Sequence, residues 1–341
     1  MIVFVCILIV IIFIGAKIRK SDQDVLDKDT TTSINGVFTV LIFLSHIASY
    51  VNLDDGILNT VYSSFRSHHY QLVVVTFLCF SGYGVMEQIK KGADKYINLF
   101  PIRRIFLTLF HFDLAVILFV IVQLCLYRTV FPLWRIAKSL VALSDVGNSN
   151  WYIFTIILLY IFTWIAYHIK KHFSKIEIPV IVCIFSIAYV LIWNYKGLNS
   201  TYISTALCYS LGMFVSFYKE KVFNLIMKHK FPFVYFTLLI IWITYYYRMD
   251  NIIMNIHSVA FAFFIIILLS FIKVGNNTLK FLGKYSFGIY ILQRLPMMVL
   301  SKYINQWYYL VPACFIATLL IAFVFEKTNC IFDKLVLKTA K

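Results

Sequence analysis

The chain has 341 residues, 61% of them hydrophobic and 13% charged, with a mean hydropathy of +0.84. A soluble domain is about half apolar and a quarter charged, so a soluble fold is excluded. The net charge of +16 would suit nucleic acid if it covered one polar face, but the cations fall in short stretches between long apolar runs, which indicates a lipid bilayer as partner and no nucleic acid.

Runs near the roughly 20 apolar residues needed to cross a bilayer recur along the whole sequence. They predict eleven transmembrane helices, at 2–16, 34–51, 70–86, 105–127, 151–168, 177–195, 201–218, 231–247, 254–272, 285–300 and 308–325. The fold class is therefore all-α, a polytopic helical membrane protein of ten or eleven transmembrane helices, with the first and tenth short enough to lie partly in the interface. Residues 1–16 read as an anchor helix and not as a cleaved leader, because Lys17, Arg19 and Lys20 follow the apolar run, whereas a leader carries its cations in front. Residues 1–30 then form an anchor and linker ahead of a ten-helix domain over 31–341. With the 17–33 loop in the cytoplasm, 23 of the 31 Lys and Arg fall in inner loops or the final tail. The amino terminus is expected outside and the carboxyl terminus in the cytoplasm of a multi-pass cell-membrane protein. Seven cysteines stand singly, six of them in apolar runs, with no spacing for zinc or a redox pair, so no metal site is expected.

An ionisable group at membrane depth is expensive unless it faces the bundle interior, which makes each one a functional candidate. His46 lies about 12 residues into its helix, roughly 18 Å deep at 1.5 Å per residue. His111 and Asp113 in the fourth span, and Gln293 and Arg294 in the tenth, fall at a similar depth, so Asp113 and Arg294 are expected to form a buried ion pair. The plain alternative for His46 is an interhelical hydrogen bond, and for the pair a tie between two helices. Arg103 and Arg104, with Lys90, Lys91 and Lys95 just before them, suit phosphate oxygens or lipid head groups. Ser81, Gly82 and Gly84 permit close helix approach or an irregular turn lining a cavity. His68 and His69 sit in an expected outer loop.

Several segments, taken in order, carry a resemblance. SINGVFTVLIFLSHI places a helix ahead of His46, and VVVTFLCFSGYGVME is a phenylalanine-rich helix ending at Ser81 and Gly82. NLFPIRRIFLTL bears Arg103 and Arg104, NWYIFTIILLY starts at Trp151 and Tyr152, and LGKYSFGIYILQRLP runs from Ser286 through Tyr290 to Gln293 and Arg294. Together they resemble the integral-membrane acyltransferase type 3 family, which moves acyl groups, commonly acetyl, onto sugars and other acceptors. The likeness covers nearly all of the chain after residue 30. Two departures stand out: the family commonly has an arginine at the position of Asn35, and often a histidine at that of Gln293.

The resemblance implies an O-acyltransferase with no bound cofactor and with acetyl-CoA or another acyl-CoA as co-substrate. The acceptor is then a hydroxyl of a surface or lipid-linked polysaccharide, in capsule or exopolysaccharide biosynthesis. In that reading His46 is the catalytic base or acyl carrier, with Asp113 fixing its tautomer. Arg103 and Arg104 hold the donor, standing in for the arginine missing at Asn35. Trp151 and Tyr152 offer rings for a sugar to stack on, and Ser81, Gly82, Tyr290, Gln293 and Arg294 bind substrate or support the site. A transporter or flippase for a lipid-linked sugar is the alternative; it calls for internal repeats, and none is visible.

Overall fold

The computed structural model describes residues 1–19, 24–51, 56–172 and 175–339; Lys20 therefore lies outside the described residues. Helix α1 (Ile2–Phe13) leads to α2 (Lys28–Ile47), α3 (Ile57–His69) and α4 (Val75–Asn98), the last entered through a 3-10 turn over Tyr70–Val74. A π-helical turn at Pro101–Phe106 opens α5 (Leu107–Tyr127), followed by α6 (Leu133–Leu140), α7 (Trp151–His172) and α8 (Ile178–Tyr195). Then come α9 (Leu207–Phe217), α10 (Lys219–Lys228), α11 (Lys230–Tyr246), α12 (Asn251–Phe271), α13 (Asn277–Lys284), α14 (Ser286–Leu292), α15 (Arg294–Leu300) and α16 (Trp307–Thr339).

The protein is an all-α, multi-pass membrane protein. Among the described residues seven helices are long and apolar enough to cross a bilayer, or eight if α10 and α11, bent by 99°, count as one span. The remaining expected spans are shorter helices. That at 2–16 is the 12-residue α1, and that at 201–218 is the 11-residue α9 behind a 3-10 turn. The span at 285–300 is broken into α14 and α15, since Pro296 has no N–H to give the Leu292 carbonyl. Outward-facing apolar side chains such as Leu124, Ile192, Trp242 and Leu320 are exposed, as a lipid-facing surface requires.

Small residues set two tight crossings. A Cβ at Gly82 would overlap the Tyr209 carbonyl and one at Gly212 the Cys79 carbonyl, so α4 and α9 meet backbone to backbone. Gly36 and Gly283 do the same for α2 and α13, against Leu279 and Thr32. In a bilayer, where apolar burial does not drive helices together, such close contact is what holds them.

The segment expected as a linker after residue 16 is fastened to the body. Lys17–Ile18 pairs antiparallel with Ile272–Lys273. Arg19 is buried, its Nε donating to the Leu269 carbonyl at 2.8 Å and its terminal nitrogens to the carbonyls of Asp24 and Val25. Asp27 caps α2, accepting from the Thr30 amide at 2.7 Å. Lys219 reaches Asp24 at 2.7 Å, Lys273 reaches Asp27 at 3.6 Å, and Lys280 bonds Asp29. This is the basic end of the molecule. At the opposite end α3, expected as loop, is an amphipathic helix whose Tyr62 hydroxyl donates to the Leu44 carbonyl at 2.6 Å. It therefore lies beside the last turn of α2, where His46 is.

Candidate active site

On α2, Thr31, Asn35, Phe38, Ile42 and His46 recur every three or four residues and share one face. On α4 and the turn before it, Val74, Phe77, Ser81, Gly84, Gln88 and Lys91 do likewise. These two faces line three cavities stacked along the helices. The chamber at the basic end, about 590 Å³, takes Asp24 and Asp27 from the segment entering α2, Lys28 and Thr31 from α2, Gly84, Glu87, Gln88 and Lys91 from α4, and Arg103 and Arg104 from the π-helical turn. A small middle cavity of about 90 Å³ lies among Ile42, Val74, Phe77, Tyr152, Ser286 and Tyr290. The third, about 310 Å³, holds His46 and shares Ile42, Val74 and Tyr290 with the middle one. From Thr31 to His46 is about 22 Å along the helix.

The basic chamber is shaped by Arg104, which donates to the Tyr96 hydroxyl at 3.3 Å and lies 5.9 Å above the Tyr160 ring. Arg103 is exposed beside it. Between this chamber and the middle cavity, Ser81 Oγ and the Tyr160 hydroxyl are 2.7 Å apart. Asn35, on the α2 face between the chambers, has its Oδ1 buried without a hydrogen-bond partner.

In the third chamber His46 is half-buried, and its Nδ1 has no hydrogen-bond partner. Gln71, 4% exposed, lines the same wall with neither amide atom partnered. A buried polar group left unpaired is destabilising, and two such groups facing one cavity are what a site for a polar ligand presents. Trp151 and Tyr290 supply aromatic surface, and Ser63, Ser67 and Thr201 supply hydroxyls. Arg66 lines the chamber and donates to Ser45 Oγ at 3.5 Å and Ser49 Oγ at 3.2 Å. The charged groups acting on His46 are the guanidiniums of Arg294 and Arg66.

The remaining expected residues fall into two groups. Trp151, Tyr152 and Tyr290 line the His46 chamber or the middle cavity, Ser81 bonds the Tyr160 hydroxyl, and Gly82 is a packing residue at the α4/α9 crossing. Gln293 is fully buried, its Nε2 donating to the Tyr290 carbonyl at 3.2 Å, so it supports that tyrosine from behind. Asp113 and Arg294 form no ion pair, contrary to expectation. Arg294 turns to the Gly147 and Asn148 carbonyls at 3.3 and 3.5 Å and lies 6.0 Å over the Tyr50 ring. Asp113 keeps one buried unpartnered oxygen, lines none of the three cavities, and is not brought to His46. His111 instead pairs with Asp333 at 2.9 Å, tying α5 to α16. Sequence reasoning passed over Gln71, Arg66 and Tyr160; the one available signal was an amide inside the apolar run YQLVVV.

The whole of this passage lies within residues 33–327 apart from Thr31 and the residues before it, and that stretch matches the acyltransferase type 3 family model, described as an acyltransferase domain. The chain belongs to the acyltransferase type 3 family. No curated protein and no solved structure is matched by it. Helix α1, the segment at Lys17–Ile18 and Arg19 of this membrane acyltransferase fall outside the matched stretch, though Arg19 bonds to Leu269 within it.

Proposed function

We propose that the acyltransferase moves an acyl group, in the simplest case acetyl, from acyl-CoA bound at the basic end to a hydroxyl of a surface or lipid-linked polysaccharide bound in the His46 chamber. The observation that supports this reading is the stack of three cavities along one face each of α2 and α4, with Lys28, Lys91, Arg103 and Arg104 lining one end, beside Asp24, Asp27 and Glu87, and an unpartnered imidazole nitrogen at the other. Arg103 and Arg104 offer planar forks to the phosphates of CoA. The slender pantetheine arm then runs past Ser81 and Tyr160 to bring the thioester to His46. The excess of Lys and Arg at the basic end supports a cytoplasmic setting for it, where acyl-CoA is made, with the amino terminus outside.

In the transfer, an imidazole nitrogen of His46 takes the proton of the acceptor hydroxyl while that oxygen attacks the thioester carbonyl. The carbon–oxygen bond forms, the carbon–sulfur bond breaks, and the proton passes to the departing sulfur, so that CoA leaves as the thiol. Tyr152 and Trp151 flank the path with rings on which acyl chain and sugar can lie.

The experiment is to supply membranes carrying the protein with labelled acetyl-CoA and follow label into glycan and lipid fractions. Label should enter a glycan fraction with the wild type and fall at least about 100-fold in His46→Ala, at equal protein level. Arg103→Gln with Arg104→Gln should raise the acetyl-CoA concentration needed for half-maximal rate. Normal acetylation by His46→Ala would sink the role given to that residue.

A further inference from the structure

We infer that the acceptor is an anionic saccharide, held through a carboxylate or phosphate by Arg66 at the wall of the His46 chamber. The inference rests on the reading of that chamber as the acceptor site and names the chemistry it selects.

The chamber, about 310 Å³, sits at the small end of the usual range for ligand sites. Its wall is rich in hydroxyl and amide groups from Ser45, Ser63, Ser67, Thr201 and Gln71, the pattern expected around a sugar ring. What sets it apart is its charge. Arg66 lines it, yet among the described residues neither Arg66 nor Arg294 is in an ion pair and no Asp or Glu lines the chamber. Asp54 and Asp55, in the segment before α3, are outside the described residues.

Both guanidiniums are spent on neutral, long contacts. Arg66 reaches two serine hydroxyls at 3.5 and 3.2 Å. Arg294 reaches two carbonyls at 3.3 and 3.5 Å, and its Nε is buried without a partner. A guanidinium forms its strongest bonds with a carboxylate or phosphate that takes two of its N–H groups at once. A neutral sugar filling the chamber would strip water from Arg66 and return no charge, which disfavours its binding. An anionic sugar supplies the counter-ion and is oriented by it. Because Arg66 is anchored to Ser45, the residue next to His46, the anion belongs to the same sugar as the accepting hydroxyl or to its neighbour.

The test uses three sets of short oligosaccharides: one containing hexuronic acid, the same with its carboxyls reduced to alcohols, and one bearing a phosphate monoester. Binding to the purified full-length protein is read by quenching of tryptophan fluorescence, and transfer from labelled acetyl-CoA is read separately. The wild type should bind a charged set at least about tenfold more tightly than the reduced one; preference for the carboxylate or for the phosphate set identifies the source of the anion. In Arg66→Gln that preference should vanish through a raised KM for the charged sets, and Arg66→Lys should keep part of it. Equal binding of charged and reduced sets by the wild type overturns the inference, and so does an Arg66→Gln variant that lowers kcat equally for both, since that places Arg66 at the reacting carbonyl. Charge-selective binding without transfer to any acceptor upholds the inference and counts against the acyl-transfer reading instead.

Discussion

Ser81 Oγ on α4 and the Tyr160 hydroxyl on α7 lie 2.7 Å apart, between the chamber that holds Arg104 and the cavities that lead to His46. If the donor's arm passes here, the side chain at 81 must stay small. Ser81→Leu should reduce acyl transfer by roughly 100-fold, because the reacting groups no longer meet, while acyl-CoA still binds at the basic end. Tyr160→Phe keeps the width but leaves Ser81 without its partner, so a loss of about 1 kcal/mol in stability and a modest loss of rate are expected. Isothermal titration with CoA beside the transfer assay separates the two effects, and full activity in Ser81→Leu would show that the donor takes another route.

The α4/α9 crossing makes a prediction about stability alone. Gly82 and Gly212 face the partner helix's backbone, whereas a Cβ at Gly84 would meet nothing within 4 Å. Gly82→Ala and Gly212→Ala should each destabilise the protein by about 1–3 kcal/mol, as overpacked sites do. Gly84→Ala, two positions away on the same helix, should leave the melting temperature unchanged. Thermal unfolding in one detergent checks all three.

His46 and the pair Arg103 and Arg104 could be found in the sequence because each breaks a local rule, an ionisable residue in an apolar run and a cation cluster at a helix entry. That Thr31 and His46 share one face of α2 also follows from its 3.6-residue period. The partners of those residues could not be found this way. Ser81 and Tyr160 are 79 positions apart, and Arg66 lines the His46 chamber only because α3 folds back on α2 through Tyr62. Depth alone suggested that Asp113 and Arg294 would pair, but the rotational setting of each helix decides contact, and Arg294 faces the Gly147 and Asn148 carbonyls. The broken tenth span was written in Pro296, yet the apolar residues on either side of Gln293 and Arg294 read as one span.

At the basic end, Asp27 gives the fold an acid limit. Burial pushes its carboxyl up, but the Thr30 amide and hydroxyl, Lys273 and Arg19 outweigh this and hold it below its ordinary value. A carboxylate shifted downward contributes stability that is complete above its unfolded pKa, near 4, and is lost as pH falls through the folded value. Wild-type melting temperature should therefore fall in acid below about pH 4, and Asp27→Asn should lack that component while starting lower at neutral pH. Asp27→Ala, which also removes the helix cap, should cost about 1 kcal/mol at pH 7. A pH profile of Asp27→Asn that coincides with the wild type's would reject the assignment.

Asp113 separates two readings of the histidine. As a carboxylate fixing the tautomer it would have to touch the imidazole, yet it lines none of the cavities, and the charges acting on His46 are two arginines. Its side chain also leaves one oxygen buried and unpartnered, so replacing it with the neutral isostere removes a charge from an apolar setting and disturbs nothing around His46. Asp113→Asn should hold acyl transfer within about threefold of the wild type, a change of under 1 kcal/mol in the barrier, and should hold or raise the melting temperature. Kinetics of Asp113→Asn beside His46→Ala decide the point: a loss as deep as that of the histidine variant would make the carboxylate part of the catalytic machinery and require α5 to move toward α2 during turnover.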